Sequence, residues 1–388
     1  MKWIVPENKL DDQQREFIDN VDINQHNVWI KGFPGSGKSV LLAYTLKKIK
    51  GKNPNASVVL VVFTHSLIAM FKEAFREMGI SVSVVTFYQF MKSPSSYDYI
   101  LCDEVQDFVP IVLREMNNHG KHIVVSGDEN QSIYDKDPRY MESTVSSNQI
   151  RMLLSVNEYE LGIIHRLSRN IINVVQRFLP NMNIFSAKQD ASKISTQVRL
   201  CEANSHKEEA DYIMKEGKKT INVGDTAVIL IPKQEEILSF INTVLNSSGR
   251  SSWTVQLDRY GKPDYDNMNS YLDRNGIPIQ YVGNRFGSFS NSTRKITLMT
   301  YHSAKGLDFD SVFIPGLNNS LFINSNETLS KTLFMVAMTR SRNNLYLLYS
   351  GYKHPYLKNF ESECNKINVH DYLNGQIGAS SSTNRFGF

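Results

Sequence analysis

Residues Gly32-Phe33-Pro34-Gly35-Ser36-Gly37-Lys38-Ser39 place three glycines, a lysine and a hydroxyl at the spacing G-x-x-x-x-G-K-[ST]. Glycines at those positions let successive backbone N–H groups turn inward around an anion, and a helix opening at the lysine adds the positive end of its dipole. Lys38 then reaches the terminal phosphates of ATP, and Ser39 ligates Mg2+. The flanks match this chemistry: a β-branched run, Asn27-Val28-Trp29-Ile30-Lys31, comes before the loop, and Leu41, Leu42, Leu46 and Ile49 recur at helical spacing after it. A chance glycine-rich turn carries no such flanks.

Hydrolysis also needs a carboxylate on the metal and a group that activates water. Leu101-Cys102-Asp103-Glu104 offers both at the end of an apolar strand, with Asp103 for the metal and Glu104 as the base. On their own, adjacent carboxylates at a strand end read as a solvated turn. Beside the loop at Gly32 they read as the second half of a nucleotide site.

These groups must be positioned by an alternation of short strands and helices. Strands are expected at Asn27 to Lys31, Ser57 to Phe63, Ser81 to Val85, Tyr97 to Cys102 and His122 to Ser126, with a helix from Ser39 to Lys50 stopped by Gly51 and Pro54. A second series has strands at Gln197 to Cys201, Thr226 to Ile231, Ile277 to Val282, Lys295 to Thr300, Ser311 to Ile314 and Leu345 to Tyr349. Helices at Lys207 to Lys218, Lys233 to Leu245 and Glu327 to Arg340 fall between them. Strands alternating with helices imply parallel sheets, so the fold class is α/β, with two tandem units: 1–185, 186–372 and a disordered tail 373–388. The stretch Asn246 to Ser270, rich in Ser, Gly, Asp and Asn, reads as a loop.

Composition sets outer bounds. At 388 residues with 41% hydrophobic content, the chain is a folded globular protein with room for two domains. No apolar run approaches a membrane span, and the start lacks a secretory signal, which points to a cytoplasmic protein with no membrane partner. Cys102, Cys201 and Cys364 fit neither a disulfide framework nor a zinc pattern. A net charge of +4 suits a polyanionic partner but decides nothing by itself.

Asp103-Glu104-Val105-Gln106-Asp107 resembles the second motif of the UvrD/Rep family of superfamily-1 helicases, and other segments then fall into the family's order. Leu10-Asp11-Asp12-Gln13-Gln14-Arg15-Glu16 is similar to the adenine-reading motif, with Gln14 in the glutamine position. Gly127-Asp128-Glu129-Asn130-Gln131-Ser132-Ile133-Tyr134 resembles the third motif, which implies that Gln131 senses the γ-phosphate. Thr300-Tyr301-His302-Ser303-Ala304-Lys305-Gly306-Leu307-Asp308-Phe309 resembles the fifth motif, and Val336-Ala337-Met338-Thr339-Arg340-Ser341-Arg342 the sixth. The likeness runs from about Leu10 to Tyr349. It implies two RecA-like P-loop NTPase domains, with Arg340 and Arg166 reaching from the second domain onto the γ-phosphate. It also implies that Thr64 after Phe63, Thr86 before Phe87 and Tyr88, together with Tyr134, Thr300 and His302, contact the strand.

The pattern also departs from the family. Only residues 87–102 lie between Thr86 and Asp103, and only Asn284 to Arg294 precede the strand of the fifth motif, so neither large accessory insertion has room. His165 stands where the family usually has an adenine-stacking tyrosine, and Asp308 where it commonly has a glutamate near the ribose. Asp135-Lys136-Asp137-Pro138-Arg139-Tyr140 lacks the family's aromatic-and-arginine pattern.

The resemblance implies an ATP-dependent translocase or helicase on single-stranded DNA, 3′ to 5′, with RNA left open. Loss of both insertions motivates a second reading: a nucleic-acid-gated switch that signals to a protein partner, such as a nuclease or a component of phage defence, and unwinds little. A third is a phosphate-loop NTPase, for instance a kinase, with no nucleic-acid substrate.

Overall fold

Apolar runs fix the first sheet. β1 (Asn27–Gly32), β2 (Val58–Val62), β3 (Ser83–Thr86), β4 (Tyr97–Cys102), β5 (Gly120–Gly127) and β6 (Val156–Leu161) lie in the order β3-β2-β4-β5-β1-β6. Every pairing is parallel. The computed structural model describes residues 4–128, 132–134, 137, 139–182, 184, 188–190, 195–283, 285–289 and 294–376. All five residues of β2 are buried, as a strand covered by helices on both faces requires. The helix after β1 spans Lys38–Lys52. It runs through Gly51, because burial of Leu41, Leu42, Leu46 and Ile49 outweighs the roughly 1 kcal/mol that a glycine costs inside a helix. β6 was not expected, since its Asn157, Glu158 and Glu160 face outward from a sheet edge and break the apolar signature.

A short parallel pair, β7 (Ile163–Ile164) with β8 (Lys188–Gln189), comes before the second sheet. That sheet comprises β9 (Gln197–Ala203), β10 (Ala227–Ile231), β11 (Ile279–Tyr281), β12 (Ile296–Thr300), β13 (Phe309–Ile314), β14 (Ser341–Ser350) and β15 (Asn365–Asn368). Their order is β11-β12-β10-β13-β14-β9-β15, again with parallel pairing throughout. The α/β class with mainly parallel sheets is as the sequence implies. The helix Glu327–Met338 stops two residues short of expectation, which leaves Arg340 just beyond its end.

Two sequence expectations require correction. The stretch from Asn246 to Ser270 is not all loop: a helix, Tyr265–Arg274, starts inside it, capped by the Asp264 side chain, and buries Tyr265, Met268 and Leu272. Trp253 is buried beside it, its indole N–H donating to Asn267 Oδ1 at 3.0 Å. Polar spacers hid that stripe. The tail is described only as far as residue 376, after the short helix Val369–Leu373, so most of the stretch expected to be disordered lies outside the described residues.

The helix Arg169–Phe178 follows β7 in sequence yet packs on the second sheet's side. Phe178 is buried there, its ring edge-on to Phe334 (5.3 Å), Tyr356 (5.2 Å) and Phe360 (5.9 Å). Such a cluster contributes both area burial and edge-to-face geometry. Phe178→Ala should therefore cost about 3–5 kcal/mol in urea unfolding, lost from the unit that contains the second sheet. A loss below 1 kcal/mol would show that the ring cluster carries little.

Candidate functional site

The carboxyl ends of β1, β4 and β5 share one edge of the first sheet, where a parallel sheet offers a ligand crevice. The chain leaves β1 through the glycine loop. Gly35 (φ +79) and Gly37 (φ +92) take left-handed backbone, and a Cβ would meet Arg166 Cβ at 2.6 Å at Gly35 and Gln14 Nε2 at 2.3 Å at Gly37. Only glycine fits either place. A cavity of about 770 Å³ opens over this loop, walled by Pro34, Gly35, Gly37, Lys38 and Ser39 from below and reached by Gln14 and Glu104. His165, Arg166, Asp308 and Arg340 close its other sides. Gly32, Phe33 and Ser36 belong to the loop but do not line the cavity. Gln131 lies outside the described residues.

Charges converge on this cavity. Lys38 Nζ donates to Gly32 O (2.7 Å) and Phe33 O (3.2 Å), and burial pushes its pKa below the ordinary lysine value. Ser39 Oγ donates to Asp103 Oδ2 at 2.7 Å and Ser126 Oγ to Asp103 Oδ1 at 2.5 Å. Burial, followed by the charge of Glu104, pushes Asp103 up to about 6. A buried carboxylate and a hydroxyl in direct contact, both hard oxygen donors beside a triphosphate-shaped loop, fit Mg2+. Glu104 sits in left-handed backbone, φ +57, a strained conformation that is found where surrounding structure enforces it. Burial opposes its charge, but Lys305 and Lys38 outweigh that and hold its pKa below the usual range. Neighbouring carboxylates are thus driven apart, the pattern expected where one serves a metal and the other a proton.

Arg340 is fully buried and donates to Val336 O (2.8 Å), Leu307 O (3.2 Å) and Thr339 Oγ1 (3.0 Å), so the second unit aims it rigidly into the cavity. Burial and the nearby Arg166 lower its pKa. Arg166 does not arrive from the second unit as expected. Its backbone N–H donates to Gly35 O at 3.2 Å, which ties it to the phosphate loop, and its buried Nε has no hydrogen-bond partner among the described residues, an orphaned donor suited to an anion. Asp308 is gripped bidentately by Arg342 (2.8 and 2.7 Å), which overrides burial and keeps its pKa low.

The contact that joins the two layers was not foreseen. Lys305 lies between Thr300 and Asp308 on the segment linking β12 to β13, and it crosses to the first unit. Its Nζ reaches Asp107 Oδ2 at 2.5 Å and Glu104 Oε2 at 3.7 Å, with all three side chains buried. A lysine set between Ala304 and Gly306 in an otherwise buried stretch was the available signal.

A second cavity of about 630 Å³ lies along the carboxyl ends of β2, β3 and β12, and all six residues expected to touch a strand line it: Phe63, Thr64, Thr86, Tyr134, Thr300 and His302. Thr64 and Thr86 cap helices, their hydroxyl oxygens accepting from Leu67 N (3.2 Å) and Gln89 N (3.3 Å). Both helix N-termini therefore point at the groove. Thr300 Oγ donates to Ser303 Oγ at 3.0 Å. Phe63 and Tyr134 stack on each other at 4.2 Å. Burial and Lys305 lower His302 to about 4, so it is neutral near pH 7 and offers a ring and not a charge. Lys92, Arg139, Lys233 and Arg285 supply the cations. Scattered through four segments, they gave no sequence pattern. Arg139 lies over the Tyr88 ring at 4.0 Å, and Tyr88 Oη donates to Asp137 Oδ2 at 2.7 Å. The aromatic-and-arginine pairing that seemed absent from residues 135–140 is thus rebuilt across β3.

Comparison with known proteins follows the same division. The UvrD-like helicase C-terminal domain matches residues 284–352, and an AAA domain matches residues 14–137. The chain carries a UvrD-like superfamily-1 helicase core. Among curated proteins, this UvrD-like chain is 24% identical over 272 residues to an ATP-dependent DNA helicase of Acanthamoeba polyphaga mimivirus, covering 66% of this chain and 35% of the viral protein. It is 41% identical over 61 residues to the ATP-dependent DNA helicase Rep of Buchnera aphidicola (14% of this chain, 9% of that protein), and 39% identical over 66 residues to a DNA helicase II homolog of Mycoplasma genitalium (15% and 9%). The matches thus span about a third or less of these relatives' length. Among solved structures, a PRRSV helicase aligns with 84% of this chain and 53% of its own at 13% identity, TM-score 0.43. An arterivirus nonstructural protein 10 helicase in complex with DNA aligns with 84% and 60% at 15% identity, TM-score 0.41. Among the described residues no helix is long and apolar enough to cross a membrane.

Two measurements probe this UvrD-like site. Lys305→Met leaves Asp107 and Glu104 buried without their cation and should cost about 3–5 kcal/mol; adding Asp107→Asn should recover part of that loss, and strict additivity would argue against a coupled pair. The folded protein holds His302 near 4, whereas the unfolded chain protonates near 6.5, so between those values the unfolded state binds more protons and stability falls as pH drops. His302→Gln lacks this term, so its melting temperature relative to the parent should climb from pH 7 to pH 5. A difference that stays constant with pH would mean His302 is not buried in neutral form.

Proposed function

We propose that the chain is a nucleic-acid-stimulated ATPase that moves along single-stranded DNA, with the 3′ to 5′ direction carried over from its UvrD-like relatives. One observation carries this reading: the segment from Thr300 to Asp308 lines the strand groove at Thr300, His302 and Ser303 and the nucleotide cavity at Gly306 and Asp308, with Lys305 fastened between them to Asp107. A change at either site that shifts this segment is felt at the other, which is what a motor needs. The relatives' printed descriptions as DNA helicases support DNA as the strand.

In this proposal Ser39 and Asp103 hold Mg2+, which supplies charge neutralisation across the phosphates when bound. Lys38 and Arg166 bind the phosphates, Glu104 takes the proton from the attacking water, and Gln131 senses the γ-phosphate. Arg340 enters from the second unit to stabilise the charge that develops on the transferring group. Because Arg340 and Lys38 stand on different sheets, hydrolysis requires the cleft between them to be closed. The two motor units are those of the sequence division at 185/186, with the packing of Phe178 placing the helix Arg169–Phe178 on the second unit's side. RNA as a strand, a protein partner and a cytoplasmic setting remain parts of the proposal with no separate structural support.

The test is ATP turnover with and without single-stranded DNA. Lys38→Ala should reduce the stimulated rate about 100- to 1,000-fold, and Arg340→Ala about 1,000-fold or more, while the nucleotide-free proteins melt as the parent does. A Lys38→Ala protein with the parent's stimulated rate would sink the assignment. A strand-displacement assay then decides between movement with unwinding and hydrolysis that only signals.

A further inference from the structure

The nucleotide cavity has two ends of different character. Around the glycine loop it is cationic. At the other end it is bordered by Ile4, Val5 and Pro6, a segment tethered by the Tyr44 hydroxyl donating to Val5 O at 2.8 Å. Two side chains there, Gln14 and His165, have the chemistry to read the hydrogen-bonding edge of a base, and both are turned to other work.

Gln14 is almost wholly buried. Its Oε1 accepts from Asp11 N at 3.2 Å, completing the capping box of the helix Asp12–Asn20, and its Nε2 donates to Ser36 O at 3.1 Å. The amide nitrogen is so close to Gly37 that a Cβ on that glycine would approach it to 2.3 Å. The side chain is thus a strut between a helix N-terminus and the underside of the phosphate loop. His165 is held just as firmly: Nδ1 lies 3.0 Å from Asp190 Oδ2, Nε2 contacts Asp11 Oδ2, and the backbone N–H donates to Gly35 O at 3.0 Å. Asp11 spends its other oxygen on Gln14 N at 2.8 Å. With both ring nitrogens facing carboxylates, the imidazole can offer a base only its face. Lys9 is the remaining polar neighbour at this end; it is exposed, and a solvated ammonium on a flexible stem distinguishes little between base edges.

Resting on the nucleotide-hydrolysing reading, we infer that the base is stacked and covered but not read: the site takes ribonucleoside triphosphates of all four bases, and Gln14 is a positioning residue for the phosphate loop. Magnitudes separate the alternatives. A pocket that hydrogen-bonds a substrate edge rejects an analogue lacking it by roughly 10,000-fold, whereas apolar and stacking contacts discriminate only about 10- to 200-fold.

The experiment is calorimetric binding of ATP, GTP, CTP and UTP, each with Mg2+, to the full chain, beside the strand-stimulated hydrolysis of each. The four dissociation constants should fall within about 10-fold of one another, with purines at the tighter end because they stack over more area. ATP binding more than about 200-fold tighter than the rest would overturn the inference. Gln14→Ala should weaken all four by a common factor, as loss of a loop strut does; a loss confined to ATP would make Gln14 an adenine reader and overturn it as well. The wild-type comparison needs no variant to fold. Equal binding of all four with no strand-stimulated hydrolysis of any would defeat the motor reading and leave this one standing, whereas stimulated hydrolysis restricted to ATP together with ATP-selective binding would do the reverse.

Discussion

A lysine ammonium with no access to water must be matched by negative charge, and in this molecule the match lies on the other sheet. Lys305 is placed by the second unit and neutralised by Asp107 and Glu104 of the first. In a low-dielectric interior the two layers are therefore held in the one relative position that keeps the charges together, since separating them would strand ions that had already lost their hydration. Much else depends on that position. Glu104 keeps its charge because Lys305 is near, Arg340 is aimed at the phosphate loop because its helix sits where the pair holds it, and Gly306 approaches so closely that a Cβ there would lie 2.5 Å from Leu67.

The nucleotide half of the site was legible because its chemistry is local. A phosphate loop, the strand before it and the helix after it occupy consecutive residues, so Lys38 and Ser39 announce themselves, and Asp103 with Glu104 does so nearly as well. The same locality made β2 and β4 easy to place. What stayed hidden depends on residues distant in sequence. Lys305 is informative only once Asp107 stands opposite, Arg139 only once Tyr88 lies beneath it, and the helix Tyr265–Arg274 only once polar residues are seen to be its solvent face. Arg166 was placed on the wrong wall because sequence shows order along the chain and not which backbone carbonyl receives its N–H. Gln14 and His165 were assigned to the base by their positions in a pattern, whereas the structure shows which of their polar atoms are already engaged.

The groove illustrates a different economy. Relatives of this kind carry inserted subdomains; here the stretch 87–102 contributes one short helix and one strand, and 284–294 a tight turn. What the groove retains is backbone recognition: two helix N-termini, dispersed cations and aromatic faces, all of which grip a strand without consulting its sequence. The Arg139–Tyr88–Asp137 arrangement restores stacking and charge beside the groove with residues drawn from another loop.

The order of the strands has a consequence for how the chain matures. β1, which delivers the phosphate loop, is only the first strand along the chain yet pairs with β5 on one side and β6 on the other, joining Asn27 to Val156. During synthesis it emerges long before either neighbour exists. Its apolar residues Val28, Trp29 and Ile30 must wait, unpaired, for more than a hundred residues to follow, the kind of non-local closure that slows folding and exposes an edge to aggregation. The glycine loop, whose shape relies on β1 being fixed and on Arg166 and Gln14 pressing against it, is therefore among the last parts of the first unit to take form. Nucleotide arriving at the nascent chain would find a sheet before it found a site.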